Sequence, residues 1–447
     1  MGFRQKNVDG VGSALFRGTL PPRAEEFEFL RRDGVELRPS DANGALWALR
    51  MRHPKWGDAD LVSLKDVAPP PRSIVEYSGG MTAKERDEVL SGRSLVSVTT
   101  RVRTGDVLRD RKALLWYLRR VMGDDGVGAM DHGSQRFWPR AALDFELSHE
   151  APLDVESLFV VHAVTDAESP AYLDQEKATE DGRPRRPTAY WMHTHGLDTL
   201  DAFDFDILDP GDGVSGDCFR SLAHAVLEGR LEPGSATFEI AQPNGMIRMV
   251  PADQFMRSAS PTWRAKRDSD PDHSTRRSVV CEPAGKLGRL LGDKPSPSKF
   301  FMQDDMDRCV LHFSSEASDQ MAERARMTLG MCRLLQQEFS EFEFPCLVKI
   351  GYETDSGGKE HLWFRVHEFG EGDVDATLIN QPFDIAGMSE GQRKRYSLDE
   401  LTDWQITTPF SSMSPRDTRM ARGLREDPEQ AAEMLKVVKM MREVGMM

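Results

Sequence analysis

Cysteine is scarce in this chain, and segments that would direct it out of the cell or into a membrane are missing. The 447 residues contain five dispersed cysteines and no CxxC pair, which excludes a disulfide framework and is typical of a reducing compartment. The N-terminus lacks the apolar core of a signal peptide, and no window approaches the roughly twenty apolar residues that cross a bilayer. We therefore expect a cytoplasmic protein with no membrane partner.

The common catalytic motifs are also absent. The sequence contains no Walker loop, nucleophile elbow, HExxH or GxGxxG motif. A formal net charge of −15 disfavours nucleic acid as a partner, because a phosphate backbone repels an acidic surface. These absences favour a protein that is not an enzyme and that needs no cofactor.

The size and composition indicate a folded chain of several domains. Hydrophobic residues make up 39% of the chain and charged residues 29%, which is enough apolar material for a packed core. We predict an N-terminal β-rich unit (1–75), an α+β domain (76–263), a linker (264–299) and a C-terminal α+β domain (300–447). The linker is predicted because 264–298 is charged, contains proline and has little periodicity.

Hydrophobic periodicity predicts the main elements of the central domain. RKALLWYLRRVMG (111–123) has a helical apolar stripe of Leu114, Leu115, Leu118, Val121 and Met122. Strands are predicted at 93–103, 157–166, 189–195 and 203–208, and a second amphipathic helix at 215–230. This order predicts an antiparallel sheet with helices on one face, for which a ferredoxin-like topology is our specific expectation.

The C-terminal domain is predicted as a helix followed by short strands. Residues 320–339 form an amphipathic helix, and strands follow at 346–353, 361–368, 374–380 and 393–398. Short strands joined by glycine turns indicate a small, strongly bent sheet or an SH3-like barrel. DPEQAAEMLKVVKMMREVG (427–445) has N-cap chemistry and an apolar stripe that includes Val438, which predicts a docked terminal helix.

Two segments resemble bacterial families of unknown function. Residues 45–255 resemble the family called domain of unknown function 4026, and the matching segments are HPKWGDADLVSL, LSGRSLVSV, LFVVHAV and YWMHTHGL. Residues 343–404 are similar to domain of unknown function 2314, a family that recurs beside the 4026 family. The matching segments are HLWFRV, LINQPFDIAGMSEGQ and LDELTDW. The resemblance implies no catalytic residue set.

AYWMHTHGLDTLDAFDFDILD (189–209) is the strongest candidate for a site. His193 and His195 project from one strand face, and a carboxylate would complete a zinc site. His-x-His-x10-Asp, ending at Asp206, is the ligand spacing of JAMM metalloproteases, but Phe203 stands where that family has serine. The alternative is two ordinary strands, with Phe203, Phe205 and Ile207 buried and the aspartates exposed opposite the histidines.

We therefore predict a non-enzymatic binding module, acting as an inhibitor or immunity-type partner of a basic protein, since complementary charge speeds encounter. The alternative is a metal-dependent hydrolase with zinc on His193, His195 and Asp206. This alternative requires the carboxylate to reach the two imidazoles, and we expect that it does not. The candidate binding surface comprises aromatic and polar residues from both family-like segments: Trp191, Asp204, His361, Trp363, Arg365, His367, Asp403 and Trp404.

Overall fold

The computed structural model describes most of the chain in consecutive stretches. They are residues 9–41, 44–77, 81–101, 106–165, 189–211, 214–234, 237–259, 276–285, 294–303, 309–338, 340, 343–408, 412–416, 432–433 and 436–440. Within them lie three sheets and seven α-helices, besides the helical residues 436–440, so the predicted α+β class is confirmed. Among these residues, no helix combines the length and the apolar composition that a membrane crossing requires.

The first sheet has seven antiparallel strands in the order β2-β3-β4-β5-β1-β6-β7. The strands are β1 (Gly10–Phe16), β2 (Glu36–Pro39), β3 (Ala48–His53), β4 (Gly57–Leu64), β5 (Ser94–Thr100), β6 (Gly126–Asp131) and β7 (Arg136–Trp138). β4 pairs with β5 along its length, from Ala59 opposite Thr100 to Leu64 opposite Leu95. The boundary expected at residue 75 therefore falls between two neighbouring strands of one sheet.

Four α-helices accompany this sheet: α1 (Arg72–Tyr77), α2 (Ala83–Leu90), α3 (Val107–Met122) and α4 (Arg140–Leu147). The Asp106 carboxylate caps α3 by accepting the backbone N–H groups of Leu108 and Arg109. The predicted apolar stripe of α3 is confirmed, since all five of its residues are buried, and the helix packs on β1, β5 and β6. Short 3₁₀ helices occur at Ala24–Asp33, Val155–Leu158, Asp198–Leu200 and Phe300–Met302.

The second sheet also has seven strands, in the order β14-β11-β12-β13-β10-β9-β8. They are β8 (Val160–Thr165), β9 (Ala189–His195), β10 (Asp204–Leu208), β11 (Phe238–Gln242), β12 (Gly245–Pro251), β13 (Arg277–Cys281) and β14 (Val310–Leu311), accompanied by helices α5 (Gly216–Leu227) and α6 (Ala252–Ser258). Only the β10–β13 pair is parallel among the described pairs of this sheet. Two seven-stranded sheets thus replace the ferredoxin-like sheet that we expected.

β13 corrects the prediction of a linker (264–299) at residues 277–281, while 264–275 and 286–293 of that segment lie outside the described residues. All five of its residues are buried, and the strand lies in the middle of the second sheet between β10 and β12. The strand escapes sequence analysis because it is short and follows a charged segment, so that no window shows clear periodicity. One apolar core runs from Ala14 in β1 to Phe301, and it includes side chains from both sheets.

The third sheet forms the C-terminal region, in the order β18-β17-β16-β15-β19-β20. It contains β15 (Cys346–Glu353), β16 (Lys359–Phe369), β17 (Asp373–Leu378), β18 (Arg393–Ser397), β19 (Leu401–Thr407) and β20 (Ser412–Met413), and helix α7 (Ser315–Glu338) packs on it. The sheet is open, with β18 and β20 at its edges, rather than a closed barrel. The predicted terminal helix (427–445) lies largely outside the described residues, although 436–440 are helical and Val438 is buried in the core of this region.

A buried ion pair joins the C-terminal region to the rest of the protein. The Arg324 guanidinium in α7 donates two hydrogen bonds to the Glu146 carboxylate at the end of α4, at 2.7 and 3.1 Å. It also donates to the carbonyl oxygens of Pro415 and Pro152. Both charged side chains are 5% exposed, so each depends on the other for compensation of its charge.

We predict that Arg324→Ala strongly destabilises the protein. The substitution leaves the Glu146 carboxylate buried without its guanidinium, which typically costs about 3–5 kcal/mol in the free energy of unfolding. Urea denaturation measures the effect, with Arg257→Ala as the control, because Arg257 pairs with Asp253 at a largely exposed site. Equal unfolding midpoints for the two variants would contradict this role of the pair.

The same pair predicts a dependence of stability on acid pH. Burial raises the pKa of Glu146, but the attraction and hydrogen bonds of Arg324, together with attraction to His149 and Lys112, lower it from 4.5 to about 2. The unfolded chain therefore binds the proton first, and the stabilisation present above pH 4.5 is lost as the pH falls toward about 2. Urea midpoints over this window should fall less steeply with acidification for Glu146→Gln than for the wild type. Parallel profiles would show that Glu146 does not carry the effect.

A candidate metal centre on the second sheet

The alternation of β9 places three rings on one face of the second sheet. Successive side chains of a strand point to opposite faces, so Trp191, His193 and His195 share a face. The Trp191 and His193 ring centroids lie 4.6 Å apart, and those of His193 and His195 lie 4.8 Å apart. On β10, Leu208 stands opposite Trp191 and Asp206 opposite His193.

Asp204 and Asp206 are buried, which corrects the prediction that both point into solvent. Asp204 is 1% exposed and Asp206 3% exposed. β10 lies between β9 and β13, and its Phe205 stacks on Phe219 of α5 at 5.9 Å. Both faces of this strand are therefore covered. Its alternating polar and apolar side chains face two different buried environments, one polar and one apolar, rather than solvent and core.

Asp206 has one carboxylate oxygen engaged by hydrogen bonds from two side chains. Its Oδ1 accepts from the Nη2 and Nε atoms of Arg277 at 2.8 and 3.2 Å, and from the Trp191 indole N–H at 3.3 Å. The Arg277 Nη2 also donates to the carbonyl oxygen of Thr194 at 3.0 Å. The Arg277 side chain is 1% exposed, so its buried charge needs a compensating carboxylate, and Asp206 Oδ1 contacts it directly.

The third partner of the two predicted histidines is His162. In the β8–β9 register His162 stands directly opposite His193. Its ring centroid lies 5.5 Å from that of His193 and 4.6 Å from that of His195. One ring nitrogen from each of the three histidines lies within 4.8 Å of the others, and Asp206 does not belong to this group. His193 and His195 are buried, whereas His162 is exposed on the outermost strand.

The turn after His195 fixes the end of β9. Gly196 has φ +124°, and a Cβ added there would lie 2.5 Å from the Leu158 carbonyl oxygen, so only glycine fits. Asp204 accepts the Thr194 hydroxyl at 2.8 Å and the backbone N–H groups of Gly196 and Leu197. Burial raises the pKa of Asp204 to about 7, against the opposing attraction of Arg277.

The cluster has the ligand chemistry of a zinc site. Imidazole nitrogen is a preferred zinc ligand at about 2.0–2.1 Å, which places tetrahedral ligand atoms roughly 3.3 Å from one another. The three nitrogens, within 4.8 Å, would have to close by roughly 1.5 Å around an ion. Rotation of His162, whose ring is exposed, supplies the simplest adjustment.

The predicted surface residues of the C-terminal region fall into two groups. Arg365 and His367 are exposed on the outer face of β16, and Trp363 is half-buried beneath the Lys349 ammonium, 5.3 Å from its ring centroid. His361 and Asp403 are also half-buried, and His361 Nδ1 lies 3.1 Å from the Thr402 hydroxyl.

Trp404 is not a surface residue, which corrects the prediction. It is fully buried, and its indole N–H donates to the Thr328 hydroxyl of α7 at 3.0 Å. Trp404 lies on the inner face of β19 because the helix covers that face. Trp191, which is 3% exposed, likewise lies in a core rather than on a surface.

Sequence analysis missed an exposed aromatic residue in the loop between β17 and β18. Phe383 is 96% exposed, the highest value for a large apolar side chain among the described residues. Its backbone N–H and that of Asp384 donate to the Glu360 carboxylate, and the Ala386 N–H donates to Asp355. The loop is therefore braced, with carboxylates around an aromatic tip.

His162 and Arg277 were also missed. His162 lies in SLFVVHAVTD, where one histidine among apolar residues is indistinguishable from an ordinary strand residue. Arg277 belongs to a run of charge that was interpreted as a solvated linker. Only His162 could have been found from the sequence. A strand that pairs with β9 must bring one of its residues directly opposite His193, and His162 is the histidine of such a strand.

Comparison with known proteins identifies one segment. A protein-family profile described as "Uncharacterized protein conserved in bacteria (DUF2314)" matches residues 323–413. No curated protein and no solved structure matches the chain. The resemblance of residues 45–255 to domain of unknown function 4026 stays a prediction. The C-terminal resemblance is confirmed, and the match extends the predicted segment to include part of α7 and β20.

Proposed function

We propose that this protein binds a divalent transition metal ion, for which zinc is the best fit, through His162, His193 and His195. The observation that carries the proposal is the convergence of three imidazole nitrogens within 4.8 Å. Neighbouring strands supply all three rings, so backbone pairing fixes their spacing before an ion arrives. Neutral imidazoles are the form that coordinates metal, and they suit zinc, copper and nickel better than magnesium or calcium.

This ligand set differs from the spacing pattern His193, His195 and Asp206. Asp206 serves the buried Arg277 guanidinium, which would lose its compensating charge if the carboxylate turned toward a metal. His162 supplies the third ligand instead, and it lies on β8, which pairs with β9 on the edge away from β10. The proposal therefore retains a metal but does not rest on the metalloprotease comparison.

We predict one zinc ion per chain, lost in His162→Ala. His162 is exposed, so its removal leaves the core intact while it deletes a ligand. Elemental analysis after zinc loading and dialysis measures the stoichiometry, and zinc should raise the melting temperature of the wild type but not of the variant. His367→Ala, which removes an exposed histidine elsewhere, is the matched control and should retain zinc.

Asp206→Asn separates the two ligand sets. The asparagine keeps an Oδ1 acceptor for Arg277 but not the compensating charge, so the variant is destabilised, and circular dichroism first checks that it is folded. We expect the folded variant to retain zinc. Zinc loss in Asp206→Asn but not in His162→Ala would show that the third ligand is Asp206 and not His162. A wild-type protein that holds no zinc, copper or nickel after dialysis would refute the proposal.

A second candidate function is non-enzymatic binding of a basic protein through the Phe383 loop. The supporting observation is an aromatic side chain that is 96% exposed in a loop fixed by hydrogen bonds. Exposed aromatic anchors commonly dominate protein interfaces, and an ordered loop loses little entropy on binding. The carboxylates of Asp355, Glu360 and Asp384 around it, with a net charge of −15, favour a basic partner.

We predict that the immobilised protein retains a stoichiometric basic protein from an extract of its native host, and that Phe383→Ser abolishes this retention. Salt should release the partner, because screening weakens attraction between exposed charges. Leu20→Ser is the control, since Leu20 is also exposed, at 64%, but lies far along the chain from this loop. Equal retention by Phe383→Ser, or no stoichiometric protein on the wild type, would contradict this function.

A further inference from the structure

The number of ligands in the histidine cluster has a chemical consequence, which rests on the proposed metal site. Zinc in proteins is almost always four-coordinate, and sites with three protein ligands keep a fourth position for water or another small ligand. Among the described residues, only His162, His193 and His195 form this ligand group. We propose that the bound ion keeps a fourth, exchangeable position that takes water or a small monodentate anion.

The nearest acidic side chain on the same face does not fill this position. Asp206 stands opposite His193, but its Oδ1 accepts hydrogen bonds from Arg277 at 2.8 and 3.2 Å and from Trp191 at 3.3 Å. Neither oxygen of Asp206 joins the ligand atoms that lie within 4.8 Å of one another, and a rotation that brought Oδ1 to the ion would break its contacts with the buried Arg277 guanidinium. The ion is therefore completed from solvent rather than by this carboxylate.

The position faces outward, on the side of β8. His193 is fully buried and His195 is 6% exposed, so these two rings offer almost no surface to solvent. His162 is exposed, and β8 is the last of the described strands of the sheet. Among the described residues, His162 is thus the member of the cluster that meets solvent, and we place the exchangeable position beside it.

The charge of the complex selects the kind of ligand. Three neutral imidazoles leave the ion with its full double positive charge, since no carboxylate or thiolate of the described residues belongs to the ligand group. Such an ion attracts anions and favours loss of a proton from a bound water. In the exchange itself, the incoming anion forms one bond to the metal and the departing water breaks one.

Cobalt(II) substitution tests this inference in the full-length protein. Cobalt(II) takes tetrahedral sites like those of zinc, and its visible absorption reports a change of ligand. We expect azide to shift the visible bands of the cobalt-loaded wild type in a saturable, one-to-one titration. Azide added to cobalt(II) with His162→Ala should give only the spectrum of cobalt azide in buffer.

Val160→His supplies a variant in which the position is closed. Val160 stands opposite His195 and two residues before His162 on β8, so a histidine there points to the same face as a fourth ligand. We expect this variant to bind cobalt and to show no azide response, with circular dichroism as a check on its fold.

The outcomes separate this inference from the metal site itself. Cobalt binding with an azide response supports both. Cobalt binding without a response in the wild type overturns the open position, since another ligand from the chain then completes the ion, and leaves the metal site standing. Failure to bind cobalt or zinc overturns both.

Discussion

The Arg277 guanidinium makes the contact on which the second sheet depends. It reaches from β13 to the Asp206 carboxylate of β10 and to the Thr194 carbonyl oxygen of β9, so one buried side chain joins three consecutive strands. A buried ion pair contributes little net stability, because desolvation offsets the attraction, but either charge alone is costly. The pair therefore enforces one register and one strand order more than it adds to the free energy of unfolding.

The same contact determines the chemistry available to the histidines. The Asp206 carboxylate is paired with Arg277. The side chains left on this face of β9 are therefore the imidazole rings and the Trp191 indole. The rings meet across the β8–β9 pair, where His162 lies opposite His193. A metal bound there would be held by nitrogen alone. The arrangement is thus closer to sites with three histidine ligands than to the mixed set that the spacing of the sequence imitates.

Sequence patterns predicted elements whose burial follows their own periodicity and missed those that depend on distant partners. The stripe of α3 and the alternation of β9 needed only local spacing. β13 and Asp206 could not be predicted, because the Asp206–Arg277 pair that is buried there joins residues 71 positions apart. Asp204 is buried through hydrogen bonds with the turn after β9, which alternation alone does not indicate. Trp404 illustrates the same limit, since the helix that covers it begins about ninety residues earlier.

The parallel pairing of β10 with β13 also constrains how the protein can fold during synthesis. Arg277 follows Asp206 by 71 residues, and α5, β11, β12 and α6 are all made between them. Until β13 leaves the ribosome, Asp206 has no guanidinium and the edge of β10 has no parallel neighbour. The second sheet therefore closes late, so a nascent chain that ends before Arg277 carries an incomplete sheet with an unsatisfied strand edge.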